Sequence, residues 1–224
     1  MTAPHPAWLD RVTGEVAEQR VDYFTRFAPP ADASRFSAVL MLFGPTGEPG
    51  AAESALAGDA SRTEIVLTRR AADLRAHPGQ VSFPGGRFDP ADAHPVAAAL
   101  REAEEEVGLE SEGVTVVGTL PELFLGPSEN VVTPVLAWWH RPGEIRVVDR
   151  REVDVVARVR LADLLDPSRR FTVVHPLGYR GPGVEVDGLF VWGFTAMLLF
   201  AVLDAAGLTV PWDSSVIRTL PEGP

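Results

Sequence analysis

At 224 residues the chain is long enough for one sizeable domain with a substantial core. A formal net charge of −11 argues against non-specific DNA or RNA binding, which needs Lys and Arg to neutralise phosphates, but leaves room for a small phosphorylated substrate. The absence of cysteine excludes disulfides, thiolate catalysis and cysteine-held zinc, and it suits a reducing cytoplasm.

The opening MTAPHPAWLDRV has no basic segment followed by an apolar one, so no signal peptide is read and a cytoplasmic location is expected. Residues 1–35 read as a helical or irregular extension, with Trp8, Val12 and Val16 spaced for an amphipathic turn or two that packs on the domain or a partner subunit. The main domain is expected over 36–208. The run SAVLMLF at 37–43 predicts a buried strand. Residues 44–62, rich in Gly, Ala and Pro, predict a mobile hairpin loop, with the partnering strand at 64–68. An Arg-bearing loop or turn follows over 67–77, then a strand at 80–83. That strand leads to Gly85 and Gly86, where a backbone without Cβ atoms can approach a metal or pyrophosphate closely.

A short helix follows. Pro95 suits its first position, Ala97, Ala98 and Ala99 are the best helix formers, and Gly108 is placed to end it in a left-handed conformation. Val96, Leu100, Ala103 and Val107 form a narrow apolar stripe. Glu102, Glu105 and Glu106, at i, i+3 and i+4, share one face. Like charges at that spacing cost about 0.2–0.5 kcal/mol per pair, and these sit at the negative end of the helix dipole. Two readings stand: a solvated acidic face, or a site for a cation. Hard oxygen ligands of this kind suit Mg²⁺ or Mn²⁺, which keep several waters and take further oxygens from a substrate phosphate.

Beyond the helix, 114–120 and 130–139 are β-rich with turn residues GPSEN between them, and Pro134 suggests an edge position or a bulge. Trp138 and Trp139 read as packing rather than a base-stacking platform. Another strand is expected at 151–159, with Glu152 near its start, and a short helix at 161–165. A last pair of strands is expected at 171–175 and 183–186, with His175 a packed core residue. Residues 190–206 predict a buried C-terminal helix, apolar nearly all round. The apolar run 188–203 is too short and interrupted to cross a membrane, so no membrane partner is expected. The tail, 209–224, reads as irregular. Strand-rich segments with a few helices predict an α/β or α+β fold with a mixed sheet.

The segment 101–109, REAEEEVGL, resembles the closing half of the Nudix hydrolase signature, G-x5-E-x7-R-E-U-x-E-E-x-G-U, with Ala103 as the apolar position. The opening half departs from it: Gly86 lies one residue too far from Arg101, and Asp92 stands where the pattern has Glu. The preceding VLTRRAADLRAHPGQVSFPGG at 66–86 is similar to the added signature of the coenzyme A pyrophosphatase subgroup, with Arg70, Arg75, Gly79, Val81 and Phe83 in register. Val66 replaces a Leu and Ala71 a Ser in that pattern. WGFTA at 192–196 resembles a W-G-x-T-A segment of the same subgroup.

The resemblance implies a Nudix α/β/α sandwich over 36–208 and metal-dependent hydrolysis of the pyrophosphate bond of coenzyme A or its derivatives. The products would be adenosine 3′,5′-bisphosphate and 4′-phosphopantetheine or its acyl form. Glu102 and Glu106 would hold Mg²⁺ or Mn²⁺. Glu105 would be a further ligand or the general base, with Glu152 its rival as base. Arg101 would orient the glutamates, and Arg70, Arg75, Gly85 and Gly86 would meet the substrate. A nucleotide of the coenzyme A class is the expected partner, and related enzymes are often homodimers. Two alternatives remain open: a Nudix hydrolase of another nucleoside diphosphate derivative, such as ADP-ribose or NADH, and a non-catalytic Nudix-fold binding module.

Overall fold

The computed structural model describes residues 3–18, 21–74, 77–175 and 178–220. In chain order the elements are α1 (Ala7–Ala17), α2 (Asp22–Arg26), β1 (Phe36–Pro45), α3 (Ala51–Leu56), β2 (Thr63–Arg70), β3 (Val81–Ser82), β4 (Gly85–Arg87) and α4 (Pro95–Val107). Then come β5 (Val114–Thr119), β6 (Leu123–Leu125), β7 (Asn130–Trp139), β8 (Val153–Arg160), α5 (Leu161–Leu165), β9 (Arg170–Val174), β10 (Arg180–Val186), β11 (Leu189–Val191), α6 (Gly193–Ala205) and β12 (Ile217–Arg218).

The fold is α+β, built on a mixed sheet in the order β3-β2-β1-β7-β5, with β4 pairing β1, β6 pairing β7 and β8 pairing β2. The pair β1–β7 is parallel, and the other pairings of that sheet are antiparallel. Strand alternation divides the core in two. From β1, Leu40 and Leu42 face the Ala98, Ala99, Ala103 and Val107 side of α4. Met41 and Phe43 face a second cluster with Trp8, Leu9 and Val12 of α1 and Leu198, Leu199 and Val202 of α6. Burying each such large side chain contributes about 1.5–3 kcal/mol. The sheet is therefore covered by helices on both faces.

Residues 44–62 differ from a plain loop. They hold α3, in which Ala51 and Ala55 are buried, because AAESAL is strong helix-forming sequence. Pro134 lies on an interior strand: β7 has β1 on one side and β5 and β6 on the other. The Leu120 N–H donates to the Pro134 carbonyl (2.9 Å) in the interval between the β5 and β6 pairings. A residue's N–H and C=O point to the same side of a strand, so the missing N–H falls in that interval, where the ladder is interrupted anyway.

A second sheet, β11-β10-β9-β12, follows. Residues 190–191 join β11 rather than the C-terminal helix, because Asp187 (φ 51°) and Gly188 (φ 74°) turn the chain back antiparallel onto β10. Asp-Gly with both φ values positive is the pattern of a tight hairpin turn. The tail past 211 is also not wholly irregular: β12 pairs in parallel with β9. Helix α6 is tied to the first sheet by the buried Thr195 hydroxyl, which donates to the Val81 carbonyl of β3 (2.9 Å). Among the described residues, no helix is long and apolar enough to cross a membrane.

Candidate active site

Helix α4 forms where local chemistry says it should. Pro95 begins it, the His94 ring nitrogen accepts from the Ala97 N–H (3.1 Å), and Gly108 closes it at φ 70°. Its alanine face lies on the sheet, which turns Glu102 and Glu106 toward the Gly85–Gly86 turn. Glu106 is 4% exposed and accepts a hydrogen bond from the Gly85 N–H (3.1 Å).

The glycines serve the acids. Gly86 packs so closely on the Glu102 carboxylate that a Cβ there would lie 2.6 Å from Oε1 and closer still to Oε2. Gly85, at φ 150°, sits against β1, and a Cβ would lie 2.7 Å from the Val39 Cα and closer to the Ala38 carbonyl. Both contacts follow from the β1–β4 pairing, in which Ala38 opposes Gly86 and Val39 opposes Gly85.

Glu152 joins from across the sheet. It immediately precedes β8, whose pairing with β2 runs up to Arg70 opposite Val153, and its carbonyl accepts from the Ala71 N–H (2.9 Å). Among the described residues, the acids that converge are Glu102, Glu106 and Glu152, with one carboxylate oxygen from each lying within 4.8 Å of the others. Glu105 points elsewhere: it is exposed, and it accepts from Arg101 (3.2 Å). Arg70, at the end of β2, exerts a favourable charge effect on Glu106, and its buried Nε has no hydrogen-bond partner in the fold. Arg75 lies outside the described residues.

Arg101 is the organiser of the exposed flank. It donates to both oxygens of Asp92 (3.2 and 2.9 Å), to Glu102 (3.0 Å), to Glu105 and to the Arg87 carbonyl (3.0 Å). This raises its pKa further and holds the Asp92 carboxyl below its usual range, chiefly through their shared hydrogen bonds. Asp92 was not singled out as functional from the sequence. The signal lay in its being an acid near the position where the motif expects one. Partners that orient metal ligands typically change affinity or activity by about 10–100-fold when removed. Asp92→Ala should accordingly lower turnover within that range and leave the fold intact by circular dichroism; unchanged turnover would reduce Asp92 to a surface acid.

The electrostatics fit a divalent cation. Burial, helped by Glu102 and Glu152 and opposed by the Gly85 N–H, pushes the Glu106 carboxyl up to about 8. Glu102 is also raised, first by its own burial. Two carboxylates whose ionisation is resisted, with Glu152 converging on them and the Gly85 N–H as donor, form an all-oxygen donor set of the kind hard divalent ions take. The sign of the pH effect follows. Glu106 has an ordinary value of 4.5, so its protonated form stabilises the cation-free fold fully below pH 4.5, and that contribution disappears as pH rises through about 8. Bound cation needs the ionised form. The rise in melting temperature on adding Mg²⁺ or Mn²⁺ should therefore be larger at pH 8 than at pH 5.5 in scanning calorimetry. Equal rises would count against a site at Glu106.

Comparison with known proteins gives three findings. The model of the NUDIX domain matches residues 52–175. A protein described as "Uncharacterized Nudix hydrolase NudL" from Salmonella paratyphi B is 39% identical over 148 residues, covering 60% of this chain and 71% of its own length. A Nudix hydrolase structure from Alicyclobacillus acidocaldarius aligns with a TM-score of 0.51 over 79% of this chain and 94% of that one. At 17% identity, that last likeness is one of fold.

Proposed function

Because the chain belongs to the NUDIX domain family, we propose that it hydrolyses the pyrophosphate bond of a nucleoside diphosphate derivative, and that this substrate is coenzyme A or one of its derivatives. The observation that carries the hydrolytic reading is the convergence of Glu102, Glu106 and Glu152 beside the glycine turn and Arg70. The coenzyme A reading rests on the 66–86 segment, with Arg70, Arg75, Gly79, Val81 and Phe83 at the subgroup's positions.

In this reading Glu102 and Glu106, with Glu152 beside them, would hold Mg²⁺ or Mn²⁺, which when bound would neutralise pyrophosphate oxygens and lower the pKa of a coordinated water. The chain's own groups do the rest. Arg70 donates its unpaired Nε–H to a phosphate oxygen, a match for guanidinium geometry. Arg75 is kept as a second phosphate contact on the motif alone. Arg101 fixes the rotamer of Glu102 while braced by Asp92. Glu152, exposed at the edge of the trio, takes the proton of the attacking water. Glu105, held by Arg101 away from the trio, is the second candidate for that step. The water oxygen bonds to one phosphorus, and the bridging oxygen leaves with the other phosphate. The products are adenosine 3′,5′-bisphosphate and 4′-phosphopantetheine.

The test is chromatography of products after incubation with coenzyme A, ADP-ribose and NADH, each with Mg²⁺ and with a chelator. Coenzyme A cleavage that stops with chelator is the expected result. Cleavage of ADP-ribose with coenzyme A left intact would replace the substrate and keep the chemistry.

A further inference from the structure

A cavity lies away from the acids. It has a volume of about 550 Å³ and is lined by Arg170, Phe200, Asp204, Thr209, Pro211 and Trp212, among others. Its position is toward the C-terminal end of α6, whereas Thr195 near the other end meets β3 by the glycine turn. At about 1.5 Å per residue, Thr195 and Asp204 are roughly 14 Å apart along the helix axis.

Arg170 sets the chemistry. It is 6% exposed, and its guanidinium carbon lies 3.8 Å from the Phe200 ring centre and 4.6 Å from that of Trp212. Contact with ring faces satisfies the charge only in part, because the five N–H donors lie in the guanidinium plane and need acceptors there. The buried Nε has no hydrogen-bond partner, and among the described residues Arg170 forms no side-chain hydrogen bond or ion pair. Asp204 is the acid whose charge it feels, but the Asp204 carboxylate accepts instead from the Thr209 hydroxyl (2.7 Å). Burial pushes the guanidinium down to about 10, which leaves it cationic at neutral pH. The two ring faces and the nearby Asp204 offset the charge in part, while the in-plane Nε–H is left without an acceptor.

The wall that carries Trp212 is held in place. The Thr172 hydroxyl donates to the Ser214 carbonyl (2.7 Å), the Thr172 N–H donates to the Val216 carbonyl (2.8 Å), and β12 pairs with β9 just beyond. Arg170 meets this wall through the Trp212 ring and donates to none of these carbonyls, so its Nε–H stays open to a ligand. We propose that the cavity is a binding site for a small ligand bearing an oxyanion, a phosphate or a carboxylate, whose charged group Arg170 takes while the ligand's body lies against Trp212. At about 300–1,000 Å³, cavities of this size class hold small organic molecules.

Isothermal titration of the full chain with phenyl phosphate and with benzoate tests this and separates the two sources of charge. Binding of either probe is expected in the unaltered chain and, with the same affinity, in Glu106→Gln. Arg170→Met should weaken it by at least about ten-fold, the scale of one charge-assisted pair, while the melting temperature stays level or rises. Asp204→Asn should tighten it by removing a like charge, and this variant decides the matter should Arg170→Met fail to fold. Binding of neither probe, equal binding by Arg170→Met, loss of binding in Glu106→Gln or no tightening in Asp204→Asn would each overturn the proposal. So would tighter binding after removal of residues 221–224, which would make the chain's own end the occupant.

Discussion

Glu106→Gln is expected to lower kcat/KM for the pyrophosphate substrate by about 10³-fold, the scale of losing a key electrostatic group, with the fold intact. The asymmetry has a physical source. Gln keeps an oxygen to accept from the Gly85 N–H and fills nearly the same volume. The carboxyl it replaces is pushed up to about 8, so in the cation-free fold near neutral pH Glu106 is already largely protonated and stability changes little. What disappears is the ability to ionise when a cation arrives. Glu105→Gln provides the contrast: an exposed group paired with Arg101, outside the convergent trio, should have a far smaller effect. Steady-state kinetics with circular dichroism checks both. Full activity in Glu106→Gln would remove the cation assignment altogether.

The two adjacent glycines should fail in different ways. An alanine at Gly85 would drive its Cβ into the β1 backbone at Ala38 and Val39, which has no room to move, and would hold φ near 150°. Strain of that kind costs about 1–3 kcal/mol before the overlap is counted, so Gly85→Ala should fold poorly or melt well below the parent. The nearest atoms to an alanine Cβ at Gly86 are those of the Glu102 carboxylate, the free end of a flexible side chain. Gly86→Ala should therefore fold with a nearly unchanged melting temperature, yet lose about 10²-fold in kcat because the Glu102 carboxylate of the proposed cation site has been displaced. Matched losses of stability in the two variants would mean that Gly86 serves packing rather than the site.

How much of this was readable beforehand depends on the range of the interactions. Helix α4, its proline start, its glycine stop and the shared face of its acids are local, and the sequence carries them openly. The burial of Ala98 and Ala99 went unread, because small residues leave the stripe pattern without fixing which flank meets the sheet. The split between Glu105 and Glu106 was equally hidden: both fit the motif, and only the position of the Gly85 N–H and of Arg101 separates them. Glu152 stood as one acid near a strand start until the β2–β8 pairing carried it to the trio. Asp92 looked like a defect in the motif and is instead the brace of Arg101. Pro134 sits at an interruption of the ladder, as its residue type suggests, but that the gap falls between β5 and β6 on an interior strand is a property of the assembled sheet.

The β2–β8 ladder has one further consequence, for synthesis on the ribosome. Strand β8 brings in the third acid, which immediately precedes it, and it pairs Arg160 with Glu64 across the long stretch of chain that separates them. Contacts of such separation form late, after the loop entropy between them has been overcome. A nascent chain that has emerged only through β7 carries Glu102 and Glu106 but no Glu152. The growing polypeptide thus brings its three acids together only once β8 has left the exit tunnel and docked on β2.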